Sequence, residues 1–523
     1  MASSPSPRSQ RQSAASKANA EMPSNVCFPC HTGKRGCDKA VPYCSHCVQR
    51  NKADECYYID LSLIGSDGIY NAISSANGIR GVAFRAVLDM FPKRQMVKHA
   101  IDAYFSGANT WFTIVDQPKF ESQLESLWEN PTPEMCALVL CMSLIATPPN
   151  VTTRVSRGNK EGTGTGNNPY HCAKAILVLV ETNRTLTVEM LQAELLVALY
   201  ELSHAMPREA YLTLNRCVHM AKACRWYTKA FWEGLGGNPR LKKLFSVLWW
   251  AIQYLDCLLH IGYDNPSYPM STAAQPPDVV IPLPENINSR VPGSFGSPLG
   301  IGSSDYSQLD DLKMPLARSA CFLWNVLQQP GEYSGMDSDA TEMASRTNQM
   351  LSDRNPSNHA AVCTNLIALL KMWQPQWQPA LLHGHNLDIP TSPLFPSDPD
   401  TAKLHAALTT TKTVISYICN EAALEITKSP SRLLTLSPSW AFAMYYAAVL
   451  LIQHGNAVLR EANEADWFAK VGGLKQALEM VGRRWRIGGW YAERIGAMLG
   501  QTQTQRAGDF GVGVGERSRS FAR

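Results

Sequence analysis

Six of the 15 cysteines in this 523-residue chain fall within 30 residues, at Cys27, Cys30, Cys37, Cys44, Cys47 and Cys56. The gaps of two, six, six, two and eight residues make two Cys-x-x-Cys pairs, each followed by a more distant single Cys. Two thiolates separated by two residues can turn onto one tetrahedral ion, and zinc prefers such soft sulfur ligands at roughly 2.3 Å. Spacing therefore argues for zinc. A disulfide framework would use the same sulfurs but needs an oxidising compartment, and the first 26 residues lack the apolar segment of a secretory signal. One four-cysteine site with two idle thiols is a further arrangement, and the repeated halves favour two ions over it. His31 and His46 lie inside the segment; with six sulfurs to hand they are expected to be exposed or phosphate-facing rather than ligands.

The full string Cys27-Phe-Pro-Cys30-His-Thr-Gly-Lys-Arg-Gly-Cys37-Asp-Lys-Ala-Val-Pro42-Tyr-Cys44-Ser-His-Cys47, followed by Cys56, resembles the fungal zinc binuclear cluster (Zn2Cys6) transcription factors. Asp38 directly follows the third Cys and Pro42 stands two residues before the fourth, as in that family. The resemblance implies that six thiolates hold two zinc ions per chain, with Cys27 and Cys44 bridging both. About 30 residues cannot bury enough apolar surface to fold alone, so metal binding would supply the folding free energy, on the order of 10 kcal/mol or more.

In the family a short helix after the first Cys pair enters the major groove of double-stranded DNA and a basic residue reads a CGG-type triplet. Carried over by position, Lys34 is the candidate base reader and Arg35 a phosphate contact or second reader. Lys39, Arg50 and Lys52 are candidate contacts to the backbone. His31, Gly33 and Gly36 fill places that are usually basic in the family. Fewer neutralised phosphates imply weaker affinity and a shallower salt dependence than is typical.

The location of charge agrees with this layout. Residues 1–56 carry eight Lys or Arg against four acids, and the remainder balances 40 against 40, so the whole net charge of +4 sits where a polyanion would be drawn. The longest apolar run, Trp440 to Ile452, is 13 residues, short of the roughly 18 that cross a bilayer. An intracellular protein without a membrane partner is expected.

The elements that carry the rest of the chain read as helices. Apolar residues recur at three and four in 118–129, 133–146, 172–182, 188–204, 208–227, 240–261, 312–327, 358–373, 401–426, 439–460 and 468–499. Leu191, Leu195, Leu199 and Leu202 mark one such face. Breaker-rich loops are expected near 151–169, 263–310 and 374–400, and no convincing run of alternating strands appears. The fold class is thus a small zinc-stabilised binuclear cluster domain followed by a large all-α regulatory domain. Its parts are a disordered polar tail (1–26), the cluster (27–56), a linker without a clear coiled coil (57–97), the helical domain (98–500) and a disordered Gly-rich tail (501–523).

A second resemblance falls on the helical part. Tyr104-Phe105, Trp111-Phe112-Thr-Ile-Val115 and Phe120 are similar to the opening of the fungal-specific transcription factor domain, the middle homology region. Glu194 to Tyr200, Arg208-Glu-Ala-Tyr211 and Ala221 to Trp226 resemble its central helix pair, and Trp249-Trp250 through Tyr254-Leu-Asp256 its Trp-Trp helix. The Trp and Met content is read as core packing. Catalysis is not expected. The nine cysteines outside the cluster mostly sit among apolar helical neighbours, and Gly162-Thr-Gly-Thr-Gly166 lacks the Lys and the preceding strand of a phosphate loop.

The two resemblances imply a nuclear, sequence-specific transcription factor of RNA polymerase II genes. Its partners would be double-stranded DNA and the transcription machinery, with a homodimer and a small-molecule effector left open. Size and layout resemble local regulators of secondary-metabolite gene clusters. The alternative is a regulatory interaction protein, a corepressor or partner, whose zinc module grips DNA weakly or not at all.

Overall fold

The chain divides into two units, Met1–Gly81 and Val82–Arg523, each taken here by itself. The computed structural model describes residues 30, 35–38, 44–50, 76–147, 169–182, 186–235, 238–263, 268–273, 281–283, 316–328, 359–382, 399–428, 433, 435–459 and 464–517. Within the first unit lies a short helix, α1 (Ser45–Gln49). α2 (Ala76–Met90) begins there and ends in the second.

Helix starts in the second unit follow from local chemistry. α3 (Arg94–Ser106) and a 3₁₀ turn (Ala108–Thr110) lead to α4 (Gln117–Leu124), which Asp116 caps by accepting the Lys119 N–H. α5 (Ser126–Glu129) is one turn. Thr132 caps α6 (Pro133–Ala146) at the Met135 N–H, with Pro133 in the first turn, where its missing donor costs nothing. α7 (Pro169–Thr182) precedes α8 (Val188–Ser203), capped by Thr187, and α9 (Pro207–Ala223). Thr228 caps α10 (Lys229–Gly234), and Asn238 caps α11 (Pro239–Gly262). There follow α12 (Leu316–Gln328), α13 (His359–Leu382), α14 (Pro399–Lys428), α15 (Ser439–Leu459), α16 (Glu464–Val481) and α17 (Arg486–Arg517).

Neighbours in sequence are mostly neighbours in space. α6 packs on α3, α7 and α8; α8 on α9 and α11; α11 on α12, α12 on α13, and α13 on α14 and α15. α16 and α17 then return, and α17 reaches α8. Every residue of α6 from Met135 to Ile145 is buried, and α8 is nearly as enclosed, so these two helices form the middle of the first half. α11 is long and apolar enough to match a membrane span, with a mean hydropathy of 1.4, yet 78% of that stretch is buried inside the unit as a core helix.

Four boundaries differ from the sequence reading. Helix begins at Ala76, inside the expected linker, because Ile79, Ala83 and Val87 at four-residue steps form a buried stripe. α13 continues past Trp373 to Leu382 through Pro375 and Pro379. There the buried Trp377 donates its indole N–H to Thr411 Oγ1 at 3.1 Å and meets the His454 ring edge-on, packing that holds helical a stretch with prolines ordinarily costing about 3 kcal/mol each. The expected helix 468–499 is two helices, α16 and α17, parted at Gly482–Trp485. A Cβ on Gly482 would stand 2.7 Å from the Gly489 amide nitrogen and one on Gly488 would stand 2.6 Å from the Leu478 carbonyl, so the break is a close backbone crossing. Finally α17 runs to Arg517, across most of the expected tail, since each added residue of a formed helix gains one bond.

Candidate metal centre

Cys44 stands at the N-cap of α1, where its sulfur accepts the Cys47 N–H at 3.4 Å. A Cys-x-x-Cys pair placed there turns both sulfurs to one side of the helix start. Asp38 fixes that start from outside: its carboxylate accepts the Ser45 N–H at 3.0 and 3.2 Å through its two oxygens, a favourable place for a negative group. The residue after the third Cys thereby ties one half of the cysteine repeat to the other. Arg35 N–H donates to the Cys30 carbonyl at 2.8 Å, folding the chain back after the first pair.

Cys30, Cys44 and Cys47 are buried together, with Cys37 half-buried against them. Cys30 Sγ lies 3.7 Å from Cys44 Sγ and 4.0 Å from Cys47 Sγ. The sulfurs of Cys30, Cys37 and Cys44 all lie within 4.8 Å of one another. A disulfide needs about 2.05 Å, so these are not bonded pairs. Four sulfurs at roughly 2.3 Å from a tetrahedral ion stand about 3.8 Å apart, and the observed spacings fit that edge.

Of the other sequence-predicted residues, Arg35 and Arg50 are described and both are exposed. Cys27, Cys56, Lys34, Lys39, Lys52 and His31 lie outside the described residues, as does Gly162–Gly166. His46 is half-buried rather than exposed, with Nε2 unpartnered, and stands outside the group of sulfurs.

The resemblance to the middle homology region fell on residues that turn out to build the core. Tyr104, Phe105, Trp111, Phe112, Phe120, Trp249, Trp250 and Tyr254 are all buried. Asp256 anchors the chain beyond α11 by accepting from Ser271 N–H at 3.1 Å, Thr272 N–H at 2.8 Å and Thr272 Oγ1–H at 2.7 Å. Burial pushes its carboxyl up, and those bonds pull the other way.

A buried charge network joins α7, α8 and α9, and sequence reasoning missed it. Glu201 Oε1 meets Lys174 Nζ at 2.9 Å and accepts the Tyr170 hydroxyl at 2.7 Å, while Lys174 also donates to Thr213 Oγ1 at 2.7 Å. Glu194 Oε1 accepts from Arg216 at 2.9 Å. Both Glu side chains have 0% exposure. Two glutamates seven residues apart on an otherwise apolar helix are the signal that could have found it. The described cysteines of this unit are no nucleophiles: burial pushes Cys136 and Cys419 up to about 12 and holds Cys141, Cys217 and Cys257 far above a thiol's usual range.

Residues 101–374 match the family model described as the fungal specific transcription factor domain, a stretch from α3 into α13 that exceeds half the chain. Transcription factor BOA15 of Botryotinia fuckeliana (strain B05.10) is 32% identical over 137 residues, covering 26% of this chain and 70% of that protein. No solved structure matches the chain. The buried aromatic and charged residues of α3 to α13 are therefore the core of a known regulatory fold, and the chain belongs to the fungal specific transcription factor domain family, a family of transcription regulators rather than enzymes.

Proposed function

We propose that the protein is a nuclear, sequence-specific DNA-binding transcription factor of RNA polymerase II genes. Cys27, Cys30, Cys37, Cys44, Cys47 and Cys56 hold two Zn²⁺ ions. With Cys27 and Cys44 as bridges, Cys30 and Cys37 complete one ion and Cys47 and Cys56 the other. Lys34 reads a CGG-type triplet, with Arg35, Lys39, Arg50 and Lys52 on or near the backbone. The observation that supports this best is the gathering of the Cys30, Cys37 and Cys44 sulfurs at tetrahedral spacing. The helical unit controls output, and a secondary-metabolite gene cluster is the proposed setting.

The second reading, a regulatory partner with a weak DNA grip, draws on the sparse positive charge at His31, Gly33 and Gly36. Full-length protein separates the two. Two zinc equivalents by elemental analysis are expected, with binding to a CGG-containing duplex that a chelator abolishes. Lys34→Ala should lose about 1–3 kcal/mol of discrimination against a scrambled duplex. A parent protein that binds both duplexes alike, or a log K that does not move with log salt, would sink the DNA reading.

A further inference from the structure

Arg483-Arg484-Trp485-Arg486 joins α16 to α17, and the first turn of α17 holds no acid. None of these arginines has a carboxylate within ion-pair distance among the described residues. Trp485 stands where a Ser, Thr or Asp would cap the helix, and it spends its indole N–H on the Leu436 carbonyl at 2.8 Å. The start of α17 therefore carries its own positive end together with the charge of Arg486.

Arg484 is drawn into the protein beside it. Its guanidinium stacks 3.9 Å over the Trp485 ring and donates to the carbonyls of Ile145 and Thr147 at the end of α6. Those carbonyls offer only the partial charge of a helix C-terminus, not a full counter-ion. Burial pushes the guanidinium down to about 10, which measures how poorly the cation is answered.

The last turn of α8 supplies the other wall. The rings of Tyr200 and His204 stack at 3.9 Å, and His204 meets Trp485 edge-on at 6.1 Å. His204 is only 5% exposed. Its Nδ1–H donates to the Tyr200 carbonyl at 2.8 Å, which leaves Nε2, on the far side of the ring, buried and unpartnered. Burial pushes this imidazole down to about 3, and Arg484 and Arg486 add to the fall while the Tyr200 carbonyl opposes it. The ring is neutral, and its free nitrogen can only accept.

Two unanswered cations, an uncapped helix start and a buried acceptor nitrogen together define a complement: negative oxygens for the first three, and an O–H for the fourth. The geometry points to a binding site for a small hydroxyl-bearing oxyanion at the junction of α6, α8 and α17. Its negative oxygens meet Arg484, Arg486 and the first turn of α17, and its hydroxyl donates to His204 Nε2. A hydrogen-phosphate group and a hydroxy-acid carboxylate share this chemistry. Occupancy would tie the C-terminal helices to α6 and α8, which is how an effector could stiffen the regulatory unit. The inference uses the helical unit alone and is independent of the zinc and DNA reading.

The test uses full-length protein at neutral pH, titrated calorimetrically with inorganic phosphate, glycolate and acetate against sodium chloride of equal ionic strength. Saturable binding of phosphate or of glycolate is expected, with acetate weaker because it has no hydroxyl. Binding confined to phosphate assigns the site to phosphorylated metabolites, and binding confined to glycolate assigns it to hydroxy acids. Arg486→Gln changes an exposed side chain and should weaken binding about tenfold while leaving the melting temperature in chloride unchanged. His204→Phe keeps the stack with Tyr200 and should erase the preference for glycolate over acetate. No saturable binding above the chloride control, or undiminished binding in Arg486→Gln, overturns the site.

Discussion

Replacing Arg216 with Met removes the cation from a carboxylate that has no access to water. Glu194 Oε1 accepts from Arg216 at 2.9 Å, and its Oε2 has no donor. Lys174, the nearest other cation named by the charge network, is committed to Glu201 at 2.9 Å. Stripping one member from a buried pair costs about 3–5 kcal/mol. Arg216 keeps 28% of its side chain exposed, so solvent already screens part of the attraction and the lower end, about 3 kcal/mol, is expected. The loss should depend on pH. Burial pushes the Glu194 carboxyl above its ordinary value of about 4.5, with Arg216 and Lys174 pulling it back. A carboxyl raised in the folded state favours folding most when protonated, so its contribution is complete below the unfolded value and fades as pH climbs through the folded one. Without Arg216 that folded value rises further. The urea midpoint of Arg216→Met should therefore lie closer to the parent at pH 5 than at pH 7.5. Adding Glu194→Gln should restore most of the stability at pH 7.5, because an amide needs no counter-charge. Equal deficits at both pH values, or a double variant less stable than the single, would refute the reasoning.

Two further outcomes test the packing. Gly262→Ala places a methyl group against the Phe442 ring and 2.7 Å from the Tyr491 hydroxyl, where α11 meets α15 and α17, and should cost about 1–3 kcal/mol by thermal unfolding, relieved by Phe442→Leu. Trp377→Phe deletes the donor to Thr411 and should speed amide exchange over residues 376–382, the part of α13 that carries the prolines, while leaving exchange in α6 unchanged.

Helix starts were legible because they are written within four residues. Thr132-Pro133 and Asn238-Pro239 each combine a capping side chain with a proline in the first turn, and Asp116 with Pro118 repeats the device. Helix ends were less so where another element decided them. Pro375 and Pro379 predict a stop, and only the burial of Trp377 against α14 overrules them. Gly482 and Gly488 sit inside a periodic apolar pattern and look tolerable there; the break between α16 and α17 exists because those two backbones touch. The cysteine repeat was legible because metal chemistry is read from residue type and spacing, and Cys30, Cys37 and Cys44 do come together.

The charged interior was the least legible part, for a reason that bears on how such a domain can be regulated. Glu194 and Glu201 are ordinary helix formers, and nothing local reveals that α8 is enclosed on nearly every side. Their answering charges arrive from α7 and α9, while the cations at the start of α17 arrive with no acid at all. Helical periodicity finds apolar faces, but a charge pair depends on which faces meet. Where every buried charge is answered, as at Glu201 with Lys174 and Tyr170, the arrangement is fixed and serves the fold. Where a buried cation is answered only by helix-end carbonyls, as at Arg484, the fold carries an unmet electrostatic demand. A diffusible anion can meet that demand, and stability and occupancy then become one equilibrium. The end of α8 belongs to both arrangements, through Glu201 on one side and His204 on the other, which makes it the helix through which a ligand at α17 would be felt by the core of the regulatory domain.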